Sequence, residues 1–306
     1  MISPVVLDID QSLGHFPGAL VVPMRDWHER LRFACSRGTI RQWQQELQRH
    51  LPAEHGTVLF GSGDFHHLSW PLIERRAARG PFQVIVLDNH PDNMRFPLAV
   101  HCGSWVRRAA ALQCVSHVHV VGITSQDIGR AHAWENYLMP LLRGRLTYWS
   151  TDVDVRWAGA LGLARRFRSF TDIDTLVEAF VGEQKHASQP TYLSIDKDVL
   201  AADVVQTNWD QGRMRLDHIQ AIIDSLRSGI IGSDINGEVS VHRYQSWWKL
   251  RLTAMDQQPG IPVDQLDTWR AQHHQVNRLL LDAIAKQMRN ASTNLTFSDA
   301  LDTAQD

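Results

Sequence analysis

Short apolar runs rich in β-branched side chains recur along this chain, separated by longer stretches in which apolar residues return at helical spacing. The runs include Val5-Val6-Leu7, Thr57-Val58-Leu59-Phe60, Val84-Ile85-Val86-Leu87, His117 to Val121, Leu146 to Trp149, Thr191 to Ile195 and Gly229 to Ile235. Runs of this kind predict strands, and the unbroken ones predict strands buried on both faces. The stretches between predict helices over Asp26 to Phe33, Thr39 to His50, Ser69 to Arg79, Trp105 to Leu112, Asp127 to Leu142, Asp172 to Gly182 and Met214 to Leu226. Thr39 and Thr171 read as N-caps. Alternation of strand and helix from Thr57 to Ile235 implies parallel βαβ units with right-handed crossovers. The expected fold is a three-layer α-β-α sandwich with a mostly parallel sheet, a single domain over 1–289. Helices at Trp247 to Met255 and Val263 to Gln287 extend it, and the polar segment 290–306 reads as a disordered tail. The stretch from Trp157 to Arg168 shows no clear strand pattern.

Polar clusters fall at the carboxyl ends of three of these strands, where open parallel sheets place their ligands. Asp88-Asn89-His90-Pro91-Asp92 follows the central run, and an extended backbone would turn Asp88, His90 and Asp92 to one face. Alone, the pentad fits a solvated turn equally well. Asp196-Lys197-Asp198 ends the Thr191 run, and two carboxylates at that spacing repel unless a cation lies between them. Gly61-Ser62-Gly63-Asp64-Phe65-His66-His67 ends the Thr57 run and adds one imidazole, from His66 or His67. Asp8 and Asp10 read as solvated edge carboxylates, and His117 and His119, at the start of their strand, as surface residues.

Composition narrows the class. The chain has 306 residues, 43% hydrophobic, with a formal net charge of -2 and no block of like charge, which argues against a nucleic-acid partner. Its three cysteines, Cys35, Cys102 and Cys114, form no paired motif, so a thiolate zinc site and a disulfide framework are not expected. No apolar segment reaches membrane-spanning length, and a cytoplasmic protein is the expectation. Four carboxylates with an imidazole exceed the three protein ligands of a catalytic zinc. Two divalent ions fit the set better, and mixed oxygen and imidazole donors favour Mn²⁺. Such a pair activates water at neutral pH, so the implied class is metal-assisted hydrolysis.

These motifs resemble those of the ureohydrolases, the family of arginase and agmatinase. Gly63 to His67, Asp88 to Asp92, Ser194 to Asp198 and Glu238-Val239 are similar in order and spacing to the family's four motifs, over roughly Thr57 to Val239. The resemblance implies two Mn²⁺ ions bridged by Asp88 and Asp196, with His66 and Asp92 completing one and His90 and Asp198 the other. It implies Glu238 as the partner of a substrate guanidinium and His101 as a proton shuttle. His66, rather than His67, matches the family's entry into the next helix. The run from Asp92 to His101 is shorter than in arginases acting on free arginine, which implies a different substrate tail. The pentad and Phe65-His66-His67 also resemble a divergent branch that includes peptide arginases, so the expected substrate is a small guanidino compound or an arginine-containing peptide. A deacetylase-like amide hydrolase and a noncatalytic, metal-retaining binding protein are the alternatives, the latter suggested by 11 tryptophans. A homo-oligomer is compatible with the sequence.

Overall fold

The computed structural model describes residues 2–97, 99–253 and 261–302, with side chains described as far as residue 289 except at 252 and 263. Among these residues, nine strands form one sheet: β1 (Val5–Asp8), β2 (Leu20–Pro23), β3 (Val58–Leu59), β4 (Phe82–Leu87), β5 (Val115–Ile123), β6 (Leu146–Thr151), β7 (Phe167–Phe170), β8 (Thr191–Asp196) and β9 (Ile230–Asn236). Their order is β2-β1-β3-β9-β8-β4-β5-β6-β7, and every adjacent pair is parallel. Helices cover both faces, giving the expected three-layer α-β-α sandwich.

Alternation along the strands divides the core. Val84, Val86, Val118 and Val120 face one layer with Trp43, Leu72 and Trp105, whereas Ile85, Leu87, Leu193 and Ile195 face the other with Leu176, Phe180, Ile219 and Ile284. Each such side chain, fully buried, stabilises the fold by about 1.5–3 kcal/mol. The register then sets the position of the site. Leu87 pairs with Ile195, and Ile195 with Ile235, so β4, β8 and β9 end level with one another. Whatever follows those three residues meets at one edge.

Several local expectations change. Asp127 to Leu142 is not a helix: short 3-10 turns at Gln126–Ile128 and Arg130–His132 precede a single helical turn at Met139–Leu142. This segment is tied instead to the strand-end loop, through Arg95 N–H to the Glu135 carbonyl (2.7 Å) and a bridge between Met94 and Asn136. Ser36, accepting from the Thr39 N–H at 3.0 Å, caps the helix Arg37–His50, and Asp172 caps Ile173–Gln184, because each side chain reaches the third amide beyond it. The patternless stretch holds a helical turn, Trp157–Ala160, before β7. His119 is buried, its ring accepting from Trp149 Nε1 at 3.2 Å, so it is not a surface residue. The C-terminal helix spans Leu266–Asp302. The expected helix end at Met255 lies outside the described residues.

Asp10 is also not solvated, because β2 and not β1 forms the sheet edge. Its side chain is 2% exposed and lies 3.7 Å from the buried guanidinium of Arg32, whose Nε meets Asp64 at 2.7 Å. Arg32 also donates to Ser240 Oγ at 2.9 Å. One cation thus joins the first strand's end, the turn after β3 and the loop after β9. We expect Arg32→Ala to cost about 3–5 kcal/mol, since it leaves two carboxylates buried without their counter-charge. Urea unfolding checks this, and a loss below about 1 kcal/mol would show that the pairs contribute little.

Candidate metal centre

The backbone leaves the extended conformation as soon as β4 ends. Asp88 and its neighbours form a bend in which Asp88 Oδ1 accepts the His90 N–H at 2.6 Å, and Asp92 adopts a left-handed φ of 46°. That conformation is unfavourable for a residue with a side chain and persists where its surroundings impose it. Here Trp105 Nε1 donates to Asp92 Oδ2 at 2.6 Å and the Asp92 carbonyl accepts from Val106 N–H. The three polar side chains of the pentad converge through this turn, not through the pleat alternation expected from sequence.

Two donor groups result, and Asp88 belongs to both. One oxygen or nitrogen each from His66, Asp88 and Asp92 lie within 4.8 Å of one another, as do one each from Asp88, His90 and Asp198. His66 Nδ1 stands 3.1 Å from Asp88, 2.9 Å from Asp92 and 3.5 Å from Asp196, and His90 Nδ1 stands 3.0 Å from Asp198. Asp196 borders the first group without joining either and receives the Asp198 N–H at 3.1 Å. The outer nitrogen of His66 bonds to Ser194 Oγ at 3.0 Å, which in turn donates to Asp234 at 2.7 Å. His67 points elsewhere, toward Cys35 Sγ at 3.8 Å.

Four buried aspartates in one place are electrostatically costly. Burial, then the charge of Asp88, lifts Asp92 to about 7. Burial is the main cause raising Asp196 to about 6, and burial with Asp196 pushes Asp198 well above the usual range. Asp88 is the exception: burial would raise it, but hydrogen bonds from His66 and His90 hold it low. For the two imidazoles burial opposes protonation, and the surrounding carboxylates outweigh it and raise both. Asp88 Oδ2 is buried, with His66 Nδ1 at 3.1 Å. A mixed oxygen and imidazole donor set with excess buried negative charge fits divalent cations.

The remaining candidates separate. His101 lines the same cavity, packed edge-on against Phe33 at 4.3 Å, and burial lowers it to about 4. Its Nδ1 accepts the Gly103 N–H at 2.9 Å, so the neutral ring carries its proton on Nε2. Glu238 does not line the cavity. Its carboxylate is buried among Lys197 Nζ, Asn277 Nδ2 (2.8 Å) and His273 Nδ1 (3.2 Å), and Lys197 outweighs burial to lower its pKa. In this arrangement the acid that the resemblance implies as a guanidinium partner is paired with a lysine of the Asp196–Asp198 motif.

The cavity above the donors has a volume of about 720 Å³. Phe33, Phe96 and Trp209 form an aromatic wall, Arg95 and Asp127 add opposite charges, and Trp134, 71% exposed, stands at the rim. Trp105, Trp209 and Asp210 escape sequence reasoning, since none belongs to a recognisable motif. The polar-aromatic run Asn208-Trp209-Asp210 was the available signal for the last two.

Comparison with known proteins agrees with this geometry. The model of the arginase family matches residues 13–241. An uncharacterized protein of Thermotoga maritima is 29% identical over 207 residues, which is 67% of this chain and 66% of the relative, just under two thirds of its length. Proclavaminate amidino hydrolase from Streptomyces clavuligerus superposes with a TM-score of 0.52 at 16% identity, covering 95% of this chain and 93% of that one. Agmatine ureohydrolase of Thermoplasma volcanium gives 0.52 at 11% identity, covering 96% and 92%. At these identities the structural likenesses speak to fold alone, but the family model spans most of the chain, and on that ground this protein belongs to the arginase family.

Proposed function

We propose that this chain is a binuclear manganese hydrolase that cleaves a guanidino group and releases urea. The observation that supports the reading is the pair of donor groups sharing Asp88 at the carboxyl edge of an arginase-family sheet. His66 and Asp92 would hold one ion and His90 and Asp198 the other, with Asp88 and Asp196 between them. When bound, such ions lower the pKa of water and polarise the group under attack. The chain itself supplies position and exclusion. Phe33, Phe96 and Trp209 shield one side of the cavity from water, and Asp127 offers a carboxylate to a cationic substrate where Glu238 does not. His101 lines the cavity as a neutral ring, and taking up a proton at Nδ1 requires release of the Gly103 amide. A cavity of about 720 Å³ with an exposed tryptophan at its rim accommodates a substrate larger than free arginine, which supports an arginine side chain within a peptide.

The pairing of Glu238 with Lys197 favours a second reading, hydrolysis of a neutral amide or acylated amine by the same centre. Purified protein loaded with Mn²⁺ is to be assayed for urea from agmatine, arginine, guanidino acids and arginyl peptides, alongside ammonia, formamide and acetate release. Urea from a guanidino compound supports the first reading; acetate or formamide without urea replaces it with the second.

Two further outcomes follow from the same residues. Because Asp88 serves both donor groups, Asp88→Asn should abolish Mn²⁺ binding and with it the rise in melting temperature, whereas ions at about a hundredfold over their Kd stabilise the wild type by about 2.7 kcal/mol. Calorimetric titration and melting curves of both proteins check this. His101→Asn should lower kcat about 10²-fold or more while the metal content by elemental analysis stays unchanged. Equal kcat in the two proteins would remove His101 from the mechanism.

A further inference from the structure

The two imidazoles of the centre differ in what holds their outer nitrogens. His66 is backed by the buried hydroxyl of Ser194, whereas His90 Nε2 lies 2.8 Å from Oδ1 of Asp210, a side chain that is 67% exposed at the cavity margin. Asp210 sits on the connection between β8 and β9, and sequence reasoning gave it no role. It is held in place by the pentad itself: Asn89 Nδ2 donates to the Asp210 carbonyl at 3.0 Å and to Oδ2 at 3.1 Å. Asn89 is fixed in turn, its Oδ1 accepting from the amide (3.1 Å) and the hydroxyl (2.7 Å) of Thr124. A hydrogen bond from Nε2–H to a carboxylate fixes the tautomer of an imidazole, leaves the Nδ1 lone pair facing Asp88 and Asp198, and makes that nitrogen a stronger donor.

From this geometry we infer that Asp210, clamped by Asn89, is a positioning residue for the His90 half of the metal centre. The inference rests on the metal reading above and adds an asymmetry to it. One ion depends on a buried network within the sheet. The other depends on a solvent-facing carboxylate in the same loop as Trp209, whose indole covers Gly63 and donates to Asp64 at 3.2 Å.

The test is calorimetric titration of the full chain with Mn²⁺, with electron paramagnetic resonance to report whether the ions are coupled. In Asp210→Asn and Asp210→Ala, affinity at one of the two sites should fall about 10- to 100-fold while the other is unchanged, and the coupled signal should give way to that of a single ion. Asn89→Ala should act in the same direction, Asp210→Glu should recover most of the affinity, and Asp203→Asn, an exposed acid paired with Arg215 on the same connection, should behave as wild type. Unaltered affinity in Asp210→Ala, with two ions still bound, overturns the inference alone. A wild-type chain that binds no divalent ion overturns the metal reading, and the inference with it.

Discussion

Repulsion among Asp88, Asp92, Asp196 and Asp198 is the constraint to which the rest of this structure answers. Each is at most 6% exposed, so solvent cannot screen them, and three of the four are pushed toward the protonated form by burial and by one another. Asp88 stays charged through two imidazoles that are themselves raised by the same carboxylates. Such an arrangement is stable as a folded object only if its charge is shared by cations, either the protons on those imidazoles or metal ions in their place. The surrounding fold holds the carboxylates at their positions against this repulsion.

It does so through parallel register and through bonds to the backs of the candidate donors. Level ends on β4, β8 and β9 bring Asp88 and Asp196 to one edge, and the turn after β3 brings His66. Ser194 and Asp234 lie within the sheet and restrain His66; Trp105 restrains Asp92 in its left-handed conformation; Asn89 and Asp210 restrain His90. Outside this ring, the Arg32 pairs keep the turn that carries His66 close to the chain's first strand and to the loop after β9. Each layer limits the freedom of the one inside it, which holds groups of like charge together in place.

Much of this was legible in the sequence for identifiable reasons. Strand runs buried on both faces leave little ambiguity, and polar clusters at their carboxyl ends point to one edge, so the sheet and the residues from Asp88 to Asp92 and Asp196 to Asp198 could be read directly. What could not be read depends on contacts distant in sequence. The helical spacing over Asp127 to Leu142 is genuine, yet backbone bonds to Arg95 and Met94 hold that segment as a cavity wall. Asp10 looked like an edge carboxylate because nothing local announces Arg32, and His119 looked exposed because its partner Trp149 lies on the next strand. Asp210 is 120 residues from the imidazole it supports, and no local pattern connects them.

Lys197 bears most directly on the proposed substrate. It lies between two of the crowded aspartates in sequence, yet its ammonium turns to the opposite side and meets Glu238, with Asn277 completing the contact. Burial favours the neutral amine, and Glu238 opposes this, so the pair is mutually dependent: removal of either leaves the other charged and enclosed. On the function proposed above, a substrate cation that took Glu238 would leave the Lys197 ammonium without its buried carboxylate. The cavity wall, where Asp127, Arg95 and the aromatic side chains line the space above the donors, is then the candidate surface for recognition, on segments separate from the carboxylates beneath it.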